Sequence, residues 1–224
     1  MGTLVLVRHG QSQWNLENRF AGWIDVPLTE QGRRDAAKIA EVLREFPFDI
    51  AFTSKLQRAS ETLTILLKAL HQDNVPVQAD AALNERHYGT LQGLNKAETA
   101  KQYGQEQVQL WRRSYAVAPP GGESIADCCA RVLPYFERAI LPLVATGKTV
   151  LVVAHGNSMR PIIQTLDHLD NDTTATMEIG LCTPYIYVFE GKELLKRDVR
   201  KVPGVVTKGA STTENRIEKG RIGS

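Results

Sequence analysis

Cysteine is scarce here: 3 in 224 residues, two of them adjacent. Cys128, Cys129 and Cys182 show no metal-ligand spacing, their number is odd, and a vicinal pair is a poor disulfide candidate. They read as small apolar core residues in a reducing compartment. No apolar run approaches the ~20 residues that a membrane-spanning helix needs. No cleavable N-terminal signal is visible, because a strand-like run begins at Thr3. The expected location is the cytoplasm. An excess of either charge is missing too: 27 basic and 25 acidic residues leave a net charge of +2. That excludes the broad field expected of a nucleic-acid or anionic-membrane binder. With 42% hydrophobic and 23% charged residues, disorder, collagen and coiled coil are disfavoured. The length suits one α/β domain with a substantial core. The charge is uneven: residues 201–224 carry +3, so the body is slightly acidic at −1.

Two continuous, β-branched runs stand out, Thr3–Val7 and Thr149–Ala154. Continuous rather than alternating apolar residues predict strands buried on both faces, as in a parallel sheet. Asp49–Phe52 is a shorter strand candidate. Tyr185–Phe189 and Leu194–Val199, joined at Glu190-Gly191-Lys192, predict a hairpin at a sheet edge. Helical stripes fall between: Glu30–Phe46 with Thr29 as N-cap, Lys55–Leu70, and a segment starting at Ser124, where Ser124 and Asp127 suit a capping box. Pro134 and Pro142 are expected to kink or split that last helix. The alternation predicts an α/β fold: a three-layer structure with a mostly parallel central sheet flanked by helices. Residues 90–122 are polar and read as a partly helical cap excursion from a single domain spanning 1–200. Residues 201–224 read as a mobile basic tail.

Both strong strands end alike, in Arg8-His9-Gly10-Gln11-Ser12 and in Ala154-His155-Gly156-Asn157-Ser158. Ligands of open α/β sheets sit outside the carboxyl ends of the strands, so two imidazoles delivered there can meet across one crevice. The glycine after each is expected to allow a sharp turn and to leave amides free for an anion. Nearby residues are cationic: Arg8, Arg58 and the pair Arg112-Arg113. Guanidinium forks suit phosphoryl oxygens. No carboxylate cluster accompanies the histidines, which disfavours a metal site. A neutral imidazole among arginines suits a nucleophile toward phosphorus, since the surrounding charge lowers its pKa. His71, His87 and His168 are read as polar residues without a chemical role.

Leu6-Val7-Arg8-His9-Gly10 resembles the signature of the histidine phosphatase superfamily. Arg19–Trp23, Thr53–Ala59, Asn84-Glu85-Arg86-His87-Tyr88-Gly89, Leu91–Thr99 and Trp111-Arg112-Arg113 are similar, more narrowly, to its cofactor-dependent phosphoglycerate mutases. The resemblance runs from about Leu4 to about Arg197. It implies His9 as nucleophile and phosphohistidine, with Arg8, Arg58, His155 and the Gly156 amide binding the phosphoryl group. Glu85 would be the general acid and base. Ser12, Asn15, Ala21, Gly22, Tyr88, Lys96, Arg112, Arg113 and Asn157 would line the pocket. Lys96, Arg112 and Arg113 would grip a substrate carboxylate or distal phosphate. The resemblance further implies interconversion of 2- and 3-phosphoglycerate in glycolysis and gluconeogenesis, primed by 2,3-bisphosphoglycerate and without a metal.

Gln11 stands where that family more often has Glu, and Ala21 replaces a frequent Thr. A long insertion common before Glu123 is absent, which leaves a homo-oligomer an open expectation. Two competing readings remain: a phosphomonoesterase or bisphosphoglycerate phosphatase of the same superfamily, and a non-catalytic module that binds phosphorylated ligands. Lys96, Arg112 and Arg113 favour the mutase over the first. His9, Arg58, Glu85 and His155 together disfavour the second.

Overall fold

A computed structural model describes residues 1–205 and 207. The expected tail therefore lies outside the described residues, apart from 201–205 and 207. Six strands form one sheet: β1 (Gly2–Arg8), β2 (Ile50–Thr53), β3 (Val77–Ala79), β4 (Thr149–Ala154), β5 (Pro184–Glu190) and β6 (Glu193–Val199). Their order is β3-β2-β4-β1-β5-β6. The first four are parallel, while β5 and β6 form the antiparallel hairpin at one edge. The expected mostly parallel α/β sheet is present.

The central strands are apolar throughout because both sheet faces are covered. Leu4, Leu6, Val150 and Val152 point to one side, into a core with Val132, Phe136, Ile162 and Ile163. Val5, Val7, Leu151 and Val153 point to the other, against Ile39, Leu43, Leu63 and Leu66. The second side is built by α2 (Glu30–Lys38), α3 (Ala40–Leu43) and α4 (Gln57–Ala69), and the first by α7 (Ile125–Tyr135), α8 (Leu141–Ala145) and α9 (Gly156–Asp167). The stripe expected as one helix over 30–46 breaks at Ile39 into α2 and α3. Thr29 caps α2 by accepting from the Gly32 N–H, and Ser124 with Asp127 forms the capping box of α7.

The two prolines act differently. α7 runs through Pro134. The carbonyl that loses its partner belongs to Ala130, which is exposed and open to water. Pro142 does split the helix: Phe136–Ile140 is a π turn in which the Leu141 N–H reaches back to the Phe136 carbonyl. The wider turn accommodates a ring that would otherwise clash with the preceding turn. Two short helices, α1 (Gln13–Leu16) and α10 (Asn171–Thr176), and the three-residue β3 carry too little periodicity to be legible in sequence.

Residues 84–122 contain α5 (Lys96–Tyr103) and α6 (Gln105–Arg113). Phe20, Leu91, Val108 and Trp111 form a small separate core beneath them. Past β6, Val202 is buried, Gly204 O accepts from Lys38 Nζ at 3.0 Å, and the Leu181 N–H donates to Thr207 O at 2.9 Å.

One close approach sets the loop after β1. A Cβ at Gly10 would lie 2.5 Å from Gly32 O, and a Cβ at Gly32 would lie 2.2 Å from Gln11 O. The first turn of α2 thus packs backbone to backbone against the His9 loop. Gly to Ala inside a helix ordinarily gains about 1 kcal/mol. At Gly32 the clash is with a backbone carbonyl, and overpacking costs roughly 1–3 kcal/mol or more. Gly32→Ala should therefore destabilise the protein, seen as a lower urea midpoint with unchanged m-value. A raised midpoint would contradict the close-packing argument.

Candidate active site

Register brings the two histidines together. Arg8 and Ala154 are Cα partners in the parallel β1–β4 ladder. The next residue on each strand is a histidine, and the His9 N–H continues the ladder to Ala154 O at 3.0 Å. Neighbouring strands lie about 4.8 Å apart, and the two imidazole centroids are 5.0 Å apart. β2 ends one strand away, and the next residue, Ser54, places its hydroxyl 2.7 Å from His155 Nε2. Both rings are buried.

His9 Nδ1 lies 2.6 Å from Gly10 O. A carbonyl only accepts, so Nδ1 carries the proton of the neutral ring and Nε2 keeps its lone pair. Burial pushes the pKa of His9 well below the usual value, and the charges of Arg58 and Arg8 push it further. His155 is lowered by the same causes, with His9 adding to them.

The two glycine turns differ. The Gly10 N–H, expected to be free for an anion, donates instead to Thr62 Oγ1 at 3.0 Å. The Thr62 hydroxyl in turn donates to Arg58 O at 2.7 Å. That tie fixes the nucleophile loop to α4. Gly156 opens α9, and its N–H has no partner among the described residues. A helix N-terminus of this kind attracts anions.

Arg8 lies beside Gly156, with its Cζ 3.5 Å from where a Cβ would sit. One of its terminal nitrogens donates to Ile179 O at 2.6 Å, and its Nε is buried without a partner. Arg58 is fully enclosed, and burial lowers its pKa to about 10. It donates to Gly22 O at 2.8 Å and Ile24 O at 3.1 Å. Arg58 therefore clamps the 20–25 loop as well as charging the site. Gly22 has a φ of +53°, a left-handed conformation that suits glycine.

Glu85 Oε1 accepts from the Asn157 N–H at 3.1 Å and the Arg86 N–H at 2.9 Å. Its carboxylate thus faces the start of α9 and makes no ion pair with the Arg86 side chain. That guanidinium lies over the Tyr88 ring at 4.6 Å and donates to the Tyr88 hydroxyl at 3.1 Å. Asn157 Nδ2 donates to the same hydroxyl at 3.3 Å. Burial raises the Tyr88 phenol, but the charge and hydrogen bond of Arg86, with the charge of Lys96, bring the net shift downward. Lys96, 5.8 Å from the Phe20 ring centroid, is lowered to about 8, chiefly by burial. Arg112 is lowered too, again mainly by burial.

Other expected residues have partners of their own. Arg113 pairs with Glu178. Ser12 and Asn15 form the capping box of α1. Gln11 Oε1 accepts from the Thr29 hydroxyl at 3.0 Å, so the neutral side chain braces the start of α2. His71 and His168 sit at helix ends with positive φ, and His87 Nδ1 accepts from the Gly89 N–H at 3.0 Å. Among the described residues no three His, Cys, Asp or Glu side chains form a group able to hold a metal ion, and no helix is long and apolar enough to cross a membrane.

Sequence reading passed over Ser54, Thr62 and Arg160. Ser54 and Thr62 act through hydroxyl contacts that have no sequence signature. Arg160 is buried one turn into α9, where burial lowers it to about 10 and one nitrogen donates to Thr174 O at 2.5 Å. A lone arginine in an apolar helical stripe was the available signal.

The two lowered histidines give stability a pH dependence. The unfolded chain takes up protons as pH falls through ~6.5, while the folded rings stay neutral, so stability falls with falling pH. The slope is about 1.4 kcal/mol per pH unit for each histidine below that value. Urea unfolding at pH 7.5, 6.5 and 5.5 should show the loss, and His155→Gln should remove one histidine's share. An unchanged slope in His155→Gln would mean that His155 is charged in the native state.

The family model of the histidine phosphatase superfamily (branch 1) matches residues 4–199. A protein of Gloeobacter violaceus called 2,3-bisphosphoglycerate-dependent phosphoglycerate mutase 2 is 56% identical over 187 residues, covering 84% of this chain and 85% of its own. A 2,3-bisphosphoglycerate-dependent phosphoglycerate mutase of Nitrobacter hamburgensis is 53% identical over 186 residues, covering 82% and 90%. Among solved structures, a mycobacterial glucosyl-3-phosphoglycerate phosphatase is similar with a TM-score of 0.74 at 26% identity, covering 94% of this chain and 99% of its own. A phosphoglycerate mutase from Bacillus anthracis shares the fold, with a TM-score of 0.74 at 23% identity over 90% and 92% of the two chains. With that match across nearly all of the described fold, the chain belongs to the histidine phosphatase superfamily.

Proposed function

We propose that this protein is a 2,3-bisphosphoglycerate-dependent phosphoglycerate mutase, a cytoplasmic enzyme that interconverts 2- and 3-phosphoglycerate in glycolysis and gluconeogenesis. The observation that carries the reading is a buried, neutral His9 with its Nε2 lone pair available, beside His155 and among buried arginines. The relatives with that name, at 53–56% identity, support the choice of reaction.

The donor set suits a phosphoryl group. Arg8 Nε is an unpartnered buried donor beside the Gly156 amide at the head of α9. With Arg58 and His155 these groups would stabilise charge on the three equatorial oxygens. 2,3-Bisphosphoglycerate would supply the phosphoryl group that charges His9 Nε2. From that phosphohistidine the N–P bond breaks as the hydroxyl oxygen of a bound phosphoglycerate bonds to phosphorus, and the hydroxyl proton passes to Glu85. After the bound product reorients, His9 Nε2 attacks the other phosphorus. The P–O bond breaks toward oxygen, and Glu85 returns its proton to that oxygen. Nothing is oxidised or reduced, and His9 ends phosphorylated as it began.

Lys96, Arg112 and the Tyr88 hydroxyl, with Ser12, Asn15, Ala21, Gly22 and Asn157, would hold the rest of the substrate. Arg113 would do so by exchanging Glu178 for a substrate anion. The segment carrying α5 and α6 would keep water from the phosphohistidine, which a mutase needs and a phosphatase does not.

The test measures mutase and phosphatase rates with and without 2,3-bisphosphoglycerate, in a chelator. His9→Ala should lose both activities and the acid-labile phosphoprotein, and the chelator should have no effect. Glu85→Gln should lower kcat by about 10²–10⁴ with KM nearly unchanged. Hydrolysis far exceeding transfer would favour the phosphatase reading instead, in keeping with the phosphatase similarity at 26% identity.

A further inference from the structure

The 81–85 segment ending at the candidate acid–base residue is held by a side chain that no motif singled out. Arg131, on α7, forms a two-point ion pair with Glu123, Nε to Oε1 at 3.0 Å and a terminal nitrogen to Oε2 at 2.8 Å. The same guanidinium donates to Ala82 O at 2.7 Å, Asn84 O at 3.2 Å and Glu85 O at 3.4 Å. Glu123 Oε2 also accepts from the His87 N–H at 2.8 Å, which fixes the chain on the far side of Glu85. On the other flank, Trp23 Nε1 donates to Glu85 O at 2.5 Å, and the Arg131 guanidinium lies 5.6 Å from the Trp23 ring centroid. Both partners of the ion pair are about four-fifths buried.

We infer that Arg131, oriented by Glu123, is a positioning residue for Glu85, setting where its carboxyl stands relative to the leaving oxygen. Five planar donors serve one carboxylate and four carbonyls, the fourth being Ala81 O at 3.3 Å; lysine has a single nitrogen with no fixed fork. The Glu85 side chain is then left to accept from the Asn157 N–H at the head of α9. The clamp makes no hydrogen bond to His9 or to the phosphate donors. Its loss should act on proton transfer and spare the nucleophile.

The inference rests on the reading of Glu85 as acid and base, and leaving-group dependence separates the two. First-turnover phosphorylation of His9 is followed with 2,3-bisphosphoglycerate, whose alkoxide leaving group needs a proton, and with p-nitrophenyl phosphate, whose leaving group does not. Arg131→Gln and Glu123→Gln should slow the first by about 10–100-fold and the second by less than about 3-fold. Binding of 2,3-bisphosphoglycerate should change little, and Arg131→Lys should behave like Arg131→Gln. Glu85→Gln should show the same asymmetry, larger. Equal losses on both substrates, or rescue by lysine, would overturn the positioning role. Asymmetry in Glu85→Gln without any in Arg131→Gln or Glu123→Gln would overturn it alone. No asymmetry in Glu85→Gln would overturn the acid–base reading and the positioning role together. Glu123→Gln keeps Arg131 and the packing of α7, so the test stands even where Arg131 variants fold poorly.

Discussion

The parallel register of β1 against β4 is the constraint on which the rest depends. Pairing Arg8 with Ala154 sets one histidine beside the other at the carboxyl edge. A slip of one residue in either strand would turn every apolar side chain to the wrong face and separate the imidazoles. Core and chemistry are therefore coupled. The Val and Leu residues on both faces that make the register costly to change also keep the rings buried and neutral.

Burial costs something on the cationic side, and the structure offsets it with backbone carbonyls. Arg8 gives one nitrogen to Ile179 O, Arg58 gives two to Gly22 O and Ile24 O, and Arg131 serves the carbonyls of Ala81, Ala82, Asn84 and Glu85. Each guanidinium thereby organises a loop while keeping its charge near the site. A chain of contacts follows: Arg58 holds the 22–24 loop, Trp23 in that loop holds Glu85 O, and Arg131 with Glu123 holds the other side. The phosphate end and the proton-transfer end of the site share one scaffold. α9 belongs to it as well. Pro161, lacking an N–H, leaves Asn157 O free, and the Cys128 thiol donates to it at 3.4 Å.

How much was legible follows from the physics of each feature. Continuous apolar runs ending in Arg-His-Gly and His-Gly marked both central strands and their histidines. Thr29 and Ser124 marked helix starts, because capping is local. The amide of Gly10 was misread, because whether a loop N–H is free depends on Thr62, 52 residues away. The fate of Pro134 and Pro142 turned on solvent exposure and on a π turn, neither visible in spacing. The Glu123–Arg131 pair spans a helix N-cap at a separation of eight residues, outside the helical i,i+3 and i,i+4 spacings.

Sequence alone determined the sheet class, the two histidine turns and the family, because periodicity, caps and contiguous motifs are short-range properties. Only the tertiary structure decided which donors remain unpartnered, which arginines serve loops as well as charge, and what holds Glu85. Those are matters of who meets whom across the sheet edge, and distant residues set them through packing and hydrogen-bond satisfaction.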